Sequence, residues 1–153
     1  MKSIDGRANS EVSASAEECF ALLAAVHGYP TWIGELVRAV DVLEWDAADR
    51  PTTARMAIHV ARGPLVKDFE VVVSVQAKPV DSVLLARLKH EPSDREELEI
   101  SWQLHSATGT GIEVSFHALT PEFPRFVPVR GVGDEIADTL LRAAVRALDP
   151  SDN

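Results

Sequence analysis

Five histidines are the side chains best suited to move a proton near neutral pH: His27, His59, His90, His105 and His117. Their settings separate them. His59, His105 and His117 alternate out of phase with the apolar residues of their segments, so they face water. His27 adjoins Gly28 at the end of a helical pattern, where a cation suits the helix dipole. Only His90 shares parity with Leu84, Ala86 and Leu88, which predicts that it points inward. There it can hydrogen-bond a ligand's polar group or act as acid or base. The alternative at the same position is a strand-end histidine wetted at a cavity rim.

Other chemistries lack their residues. No paired histidines share a helix face, as a zinc site would need. There is no Gly-x-Ser-x-Gly elbow and no phosphate-cradling glycine loop. Gly131 and Gly133 precede the last helix, but Asp134 and Glu135 already occupy its positive end, so the pair reads as a flexible entrance. Glu97, Glu99 and Glu113 fall on water-facing positions, as do Arg55, Arg62 and Arg87. A one-residue slip in the third or fifth strand would turn His59 or Arg87 inward. No metal or other cofactor is expected.

These residues hang on a simple order of elements. Residues 8–14 read as a strand. Ser15 with Glu18 three positions on is a capping box for the helix that follows, and Gly28 is its expected stop. Pro30 suits the first turn of a second short helix. Six alternating strands follow, over residues 37–45, 53–62, 66–77, 83–90, 95–105 and 112–120, with short turns that imply antiparallel neighbours. Met56, Ile58 and Val60 share one face, as do Phe69, Val71 and Val73. The inner sets of the later strands are Leu84 to His90, Leu98 to Leu104 and Ile112 to Ala118. A helix over 131–148 closes the chain, with Ile136, Leu140, Ala144 and Leu148 in one stripe.

One sheet and one long helix make a hollow. A twisted sheet of seven strands curls, and its apolar face must be covered. One helix, about 10–12 Å across, cannot fill a strongly curved sheet. The aromatic candidates for the cavity wall are Trp32, Phe69, Trp102, Phe116, Phe123 and Phe126. Met56, Ile58, Val60, Val71, Leu88, Ile100, Val114, Ile136 and Leu140 complete the expected ligand-binding set, with His90 as the one weak catalytic candidate. Residues 63–67 and 123–133 are expected to gate entry. Trp45 alternates outward and is left outside the site.

The segment Val12-Ser13-Ala14-Ser15-Ala16-Glu17-Glu18-Cys19-Phe20-Ala21-Leu22-Leu23 resembles the opening strand and helix of the START-related helix-grip superfamily, the birch-pollen-allergen fold. Tyr29-Pro30-Thr31-Trp32 resembles the Tyr-Pro-x-Trp that often follows, and Trp102 to Leu104 with Gly109 to Val114 resembles the strand-turn-strand near the end. The likeness extends over nearly the whole chain and is nearest to the bacterial polyketide cyclase/dehydrase and lipid-transport group. It implies an α+β helix-grip fold: a curved seven-stranded antiparallel sheet around a long C-terminal helix, with two short helices between strands one and two. The group includes binders, carriers and enzymes.

Composition bounds the rest. At 153 residues, the chain reads as a single ligand-binding domain over 1–153. A net charge of −9 with no basic run argues against nucleic acid or an anionic membrane. No apolar run is long enough to span a bilayer, and the first ten residues do not resemble a signal peptide, so a cytoplasmic protein is expected. Cys19, the single cysteine, reads as a small core residue. Eleven arginines to four lysines point to a GC-rich bacterial origin. The leading reading is binding, with possible transport, of a hydrophobic or amphipathic small molecule such as a lipid, polyketide or aromatic compound. A cyclase/dehydrase-like enzyme with metal-free acid-base chemistry, and a protein-interaction module, are the alternatives. The protein is expected to be a monomer or homodimer.

Overall fold

The computed structural model describes residues 2–62, 65–106, 108–121 and 131–149. Seven strands form one antiparallel sheet: β1 (Lys2–Val12), β2 (Val37–Trp45), β3 (Pro51–Arg62), β4 (Leu65–Lys78), β5 (Ser82–Arg87), β6 (Glu97–Ser106) and β7 (Thr110–Thr120). The order β1-β7-β6-β5-β4-β3-β2 makes a meander of β2 to β7, with β1 returning beside β7. The helices are α1 (Ala16–Ala24), α2 (Tyr29–Trp32) and α3 (Val132–Leu148). This is the expected curved sheet with a C-terminal helix.

Ser15 caps α1 as predicted, its hydroxyl accepting from the Glu18 N–H at 3.2 Å, but the Glu18 carboxylate accepts the Ser15 hydroxyl at 3.3 Å where the full capping box would engage the Ser15 backbone N–H. The end of α1 differs. The helix stops at Ala24, and a 3-10 turn over Val26–Gly28 follows. Gly28 has φ −89°, so the stop does not use glycine's left-handed freedom.

β1 begins six residues earlier than its apolar pattern indicates. Its inward positions are Ile4, Gly6, Ala8, Ser10 and Val12, so small residues hide the alternation. They are small because α3 lies directly on them. A Cβ on Gly6 would overlap the Gly133 backbone, and one on Gly133 would overlap the Asp5 carbonyl. Gly133 thus serves close contact rather than a flexible entrance. Gly131 starts the helix at φ +81°, a conformation glycine adopts without strain. Asp134 accepts the Arg7 N–H at 3.2 Å, and Asp149 accepts the Ser13 hydroxyl at 2.9 Å, tying α3 to β1 at both ends.

The core lies between sheet and helix. Met56, Ile58, Val73, Leu85, Ile100, Trp102 and Val114 from the sheet meet Leu140, Ala137 and Ala144 of α3. Cys19 is buried in this core, as expected. Trp45 lies on the edge strand β2, half exposed and 5.2 Å from the His27 ring, as its outward alternation predicts.

β5 contradicts its expected register. Val83 and Leu85 are fully buried, whereas Leu88 is 42% exposed and His90 is exposed. Four consecutive apolar residues, 83–86, support either parity, and the fully buried parity is the one the core selects. The strand also ends at Arg87, so Leu88 and His90 lie beyond the sheet. The slip that would turn Arg87 inward therefore occurs in β5. β3 keeps its expected register, with His59 on the outer face held at 2.6 Å by Asp68.

Candidate functional site

The early end of β5 forks the sheet. β4 pairs with β5 only from Lys78↔Ser82 to Val73↔Arg87, and β5 pairs with β6 only as far as Ala86↔Glu99. Among the described residues, strand residues 65–72 of β4 therefore pair with β3 alone, apart from one bond in which Leu88 N–H donates to Val72 O at 2.8 Å. On the other arm, among the described residues, Glu97 and Leu98 pair only with β7. A missing strand leaves two strand spacings, about 9–10 Å, between the arms.

A pocket of about 250 Å³ occupies this fork. Its apolar floor includes Phe69 and Val71 of β4, Leu98 of β6, Phe116 and Ala118 of β7, and Ile136 of α3. Its rim is polar: Arg87, His90, Glu96, Glu97, Lys67 and Glu70. Below it, a void of about 20 Å³ continues the hollow among Met56, Ile58, Leu85 and Ile100. That is room for about one water, and its lining is wholly apolar.

Arg87 organises the rim. Its Nη2 lies 2.7 Å from Asp94 Oδ2 and 3.5 Å from Glu96 Oε2, and Nη1 donates to the Glu96 carbonyl at 3.0 Å. The Arg87 and Asp94 side chains are only 12% and 11% exposed. Asp94 also accepts the N–H groups of His90 at 3.2 Å and Glu96 at 3.0 Å. The Arg87 guanidinium, with these backbone donors, pulls the Asp94 carboxyl down to about 2. Residues 88–96 are thereby folded around one carboxylate, and His90 is held at the pocket mouth by its backbone.

A second cluster sits on the outer face beside the fork. His117 Nδ1 lies 2.6 Å from Asp5 Oδ1, and Nε2 lies 2.8 Å from Glu97 Oε2. An ionised carboxylate only accepts, so this geometry favours the imidazole protonated on both ring nitrogens. These bonds, to Glu97 first and Asp5 second, raise the His117 pKa, and His117 lowers that of Asp5. Glu97, expected to be merely solvated, is thus paired.

The expected ligand-binding residues divide by depth. Val60, Phe69, Val71, Phe116, Ile136 and His90 border the pocket. Met56, Ile58 and Ile100 border the small void. Trp32 and Trp102 instead pack as core: Trp32 lies 4.9 Å from the Tyr29 ring and 6.3 Å from Trp102. Both indole N–H groups are buried without an acceptor among the described residues. Val114 and Leu140 are buried in the same core. Leu88 is exposed and outside the pocket. His90 is on the rim, the alternative its sequence position allowed, and does not point inward. Phe123 and Phe126 lie outside the described residues, as do most of the segments expected to gate entry. Arg87 enters through the register slip that the sequence left open, whereas Glu96, Leu98, Ala118 and Ile4 were not among the expected ligand-binding residues. The pair Asp94 and Glu96, flanking Arg95 soon after Arg87, was the available sign of an ion-paired loop.

Among the described residues, no group of three or more His, Cys, Asp or Glu side chains is arranged to hold a metal, and no helix is long and apolar enough to cross a membrane.

Sheet, gripped helix and pocket between them define the START-like helix-grip class. Residues 12–147 match the family model described as polyketide cyclase / dehydrase and lipid transport, and the chain belongs to that family. No curated protein matches its sequence. Among solved structures it is similar to a START superfamily protein from Mycobacterium smegmatis, at 16% identity, TM-score 0.73, and 96% and 98% coverage of the two chains. It is similar to the Zhui aromatase/cyclase from Streptomyces sp. R1128, at 15% identity, TM-score 0.56, and coverage of 99% and 89%. It is also similar to ginseng major latex-like protein 151 from Panax ginseng, at 11% identity, TM-score 0.62, and 97% coverage of each. At these identities the likeness is one of fold.

Proposed function

We propose that the chain, acting as one unit, binds a compact hydrophobic or amphipathic small molecule in the pocket at the sheet fork. The observation that carries this reading is an apolar floor beneath an ordered polar rim, the arrangement by which pockets gain affinity from buried area and orientation from a few polar groups. A 150 Å³ cavity takes one benzene, so about 250 Å³ takes roughly eight to ten heavy atoms. That size favours a one- or two-ring compound or a short chain over a membrane lipid. Membership of a cyclase/dehydrase and lipid-transport family supports the same class of ligand.

Calorimetric titration with 4-ethylphenol tests the reading. We expect saturable one-to-one binding, and at least a tenfold loss in Ala118→Phe, which fills the pocket from its wall, with circular dichroism unchanged. No binding by the wild type, or equal affinity in a folded Ala118→Phe, would reject it.

A cyclase or dehydrase activity in the same pocket is the second reading. It is favoured by His90 on the rim beside the Arg87–Asp94 pair, since such chemistry needs little more than a shaped cavity and one proton-transfer group. Unchanged turnover of an identified substrate by His90→Ala would remove His90 from that role.

A further inference from the structure

The pocket at the fork is one of three spaces that meet under the first turns of α3. The second is the 20 Å³ apolar void. The third, about 300 Å³, opens between the start of β2, the end of β3 and α3, and is bordered by Glu35, Arg38, Glu135 and Thr139. Among the described residues, only Val60 and Ile136 border all three. Ile136 is half-buried while its stripe partner Leu140 is fully buried, so Ile136 packs against the core on one side and borders the open space on the other.

Building on the binding reading above, we propose that Ile136 sets the length of ligand the protein accepts. With the isoleucine in place, the hollow is two short compartments, each with its own polar mouth. The fork compartment alone holds about eight heavy atoms at roughly 30 Å³ each. Cutting Ile136 back to alanine removes three carbons, on the order of 90 Å³ by the same measure, from the place where all three spaces meet. The joined channel then accepts a chain about twice as long, with a polar group at either mouth. The ligand class is therefore amphipathic and short in the wild type, with its apolar part ending against Ile136. Each further methylene that finds buried space adds about fourfold to affinity, and each that does not adds nothing.

The test is calorimetric binding of primary alcohols from 1-hexanol to 1-dodecanol to the wild type, Ile136→Ala and Ile136→Phe, each checked for cooperative melting. For the wild type, affinity should climb to about 1-heptanol or 1-nonanol and then level. In Ile136→Ala the climb should continue, with 1-dodecanol bound at least tenfold more tightly than by the wild type. Ile136→Phe, which adds bulk at the same place, should level at a shorter alcohol than the wild type, and carries the test if the alanine variant fails to melt cooperatively. A wild type whose affinity still rises through 1-dodecanol, or a folded variant with an unmoved or oppositely moved limit, would overturn the proposal and leave the binding reading intact. Absence of alcohol binding at every length in all three proteins would overturn both.

Discussion

Arg87 shows what a single side chain decides here. Arginine at the end of an apolar strand reads as solvent-facing, yet this one turns inward and is ion-paired with Asp94 and Glu96. Nothing in Val83, Leu84, Leu85 and Ala86 distinguishes the two parities, because all four are apolar. His90 followed from the same parity, so both residues were misplaced by one ambiguity. Arg87→Met should cost about 2 kcal/mol, since it leaves the poorly solvated Asp94 carboxylate without its charge partner. That is a fall of about 4–8 °C in Tm, readable by calorimetry. The acid limb should change with it. Asp94 titrates near 2 in the folded chain against an ordinary 3.8, so its stabilisation is complete above about 3.8 and is lost as pH falls toward 2. In Arg87→Met, stability should decline less steeply across that window.

His117 gives the opposite sign at the other end of the pH scale. Its raised pKa means its contribution is whole below 6.5 and is lost as pH rises through the folded-state value. Urea unfolding at pH 6 and pH 9 should show the wild type losing stability at the higher pH. His117→Gln should narrow that difference, whereas an equal difference in both proteins would remove the ion-paired imidazolium from the account.

Among elements, the long alternating strands and the final amphipathic helix were legible because each has one wet face and one dry face. β1 was legible only over residues 8–12. Its inward residues are chosen for closeness to α3 rather than for apolar area, and a small residue leaves no periodic signal. Gly133 makes this measurable. In an exposed helix interior, glycine to alanine gains about 1 kcal/mol. Here the added Cβ overlaps the Asp5 carbonyl, and backbone cannot move aside cheaply. Gly133→Ala should therefore destabilise by about 3 kcal/mol, the upper end for overpacking. A thermal melt showing a neutral or stabilising effect would mean that α3 is not held against β1 as described.

For the whole molecule, the open space at the sheet fork is not where the sheet's curvature and the Trp32 region pointed. Trp32, Trp102, Val114 and Leu140, whose pattern suits a ligand wall, pack as core instead. What stays open is the fork, and the fork depends on β5 being six residues long between neighbours of fourteen and ten. A sequence pattern reports which face is apolar. It does not report where a strand stops pairing, because that depends on which neighbour still runs alongside. The fold class was thus readable from residue order, while the site awaited the pairing register.

The most direct test of the central claim is a map of backbone amide shifts on titration with 4-ethylphenol. The account predicts saturable shifts concentrated at Phe69 to Val72, Leu98, Phe116 to Ala118 and Ile136. Shifts that never saturate, or that gather on the outer face of α1 and leave the fork silent, would contradict it.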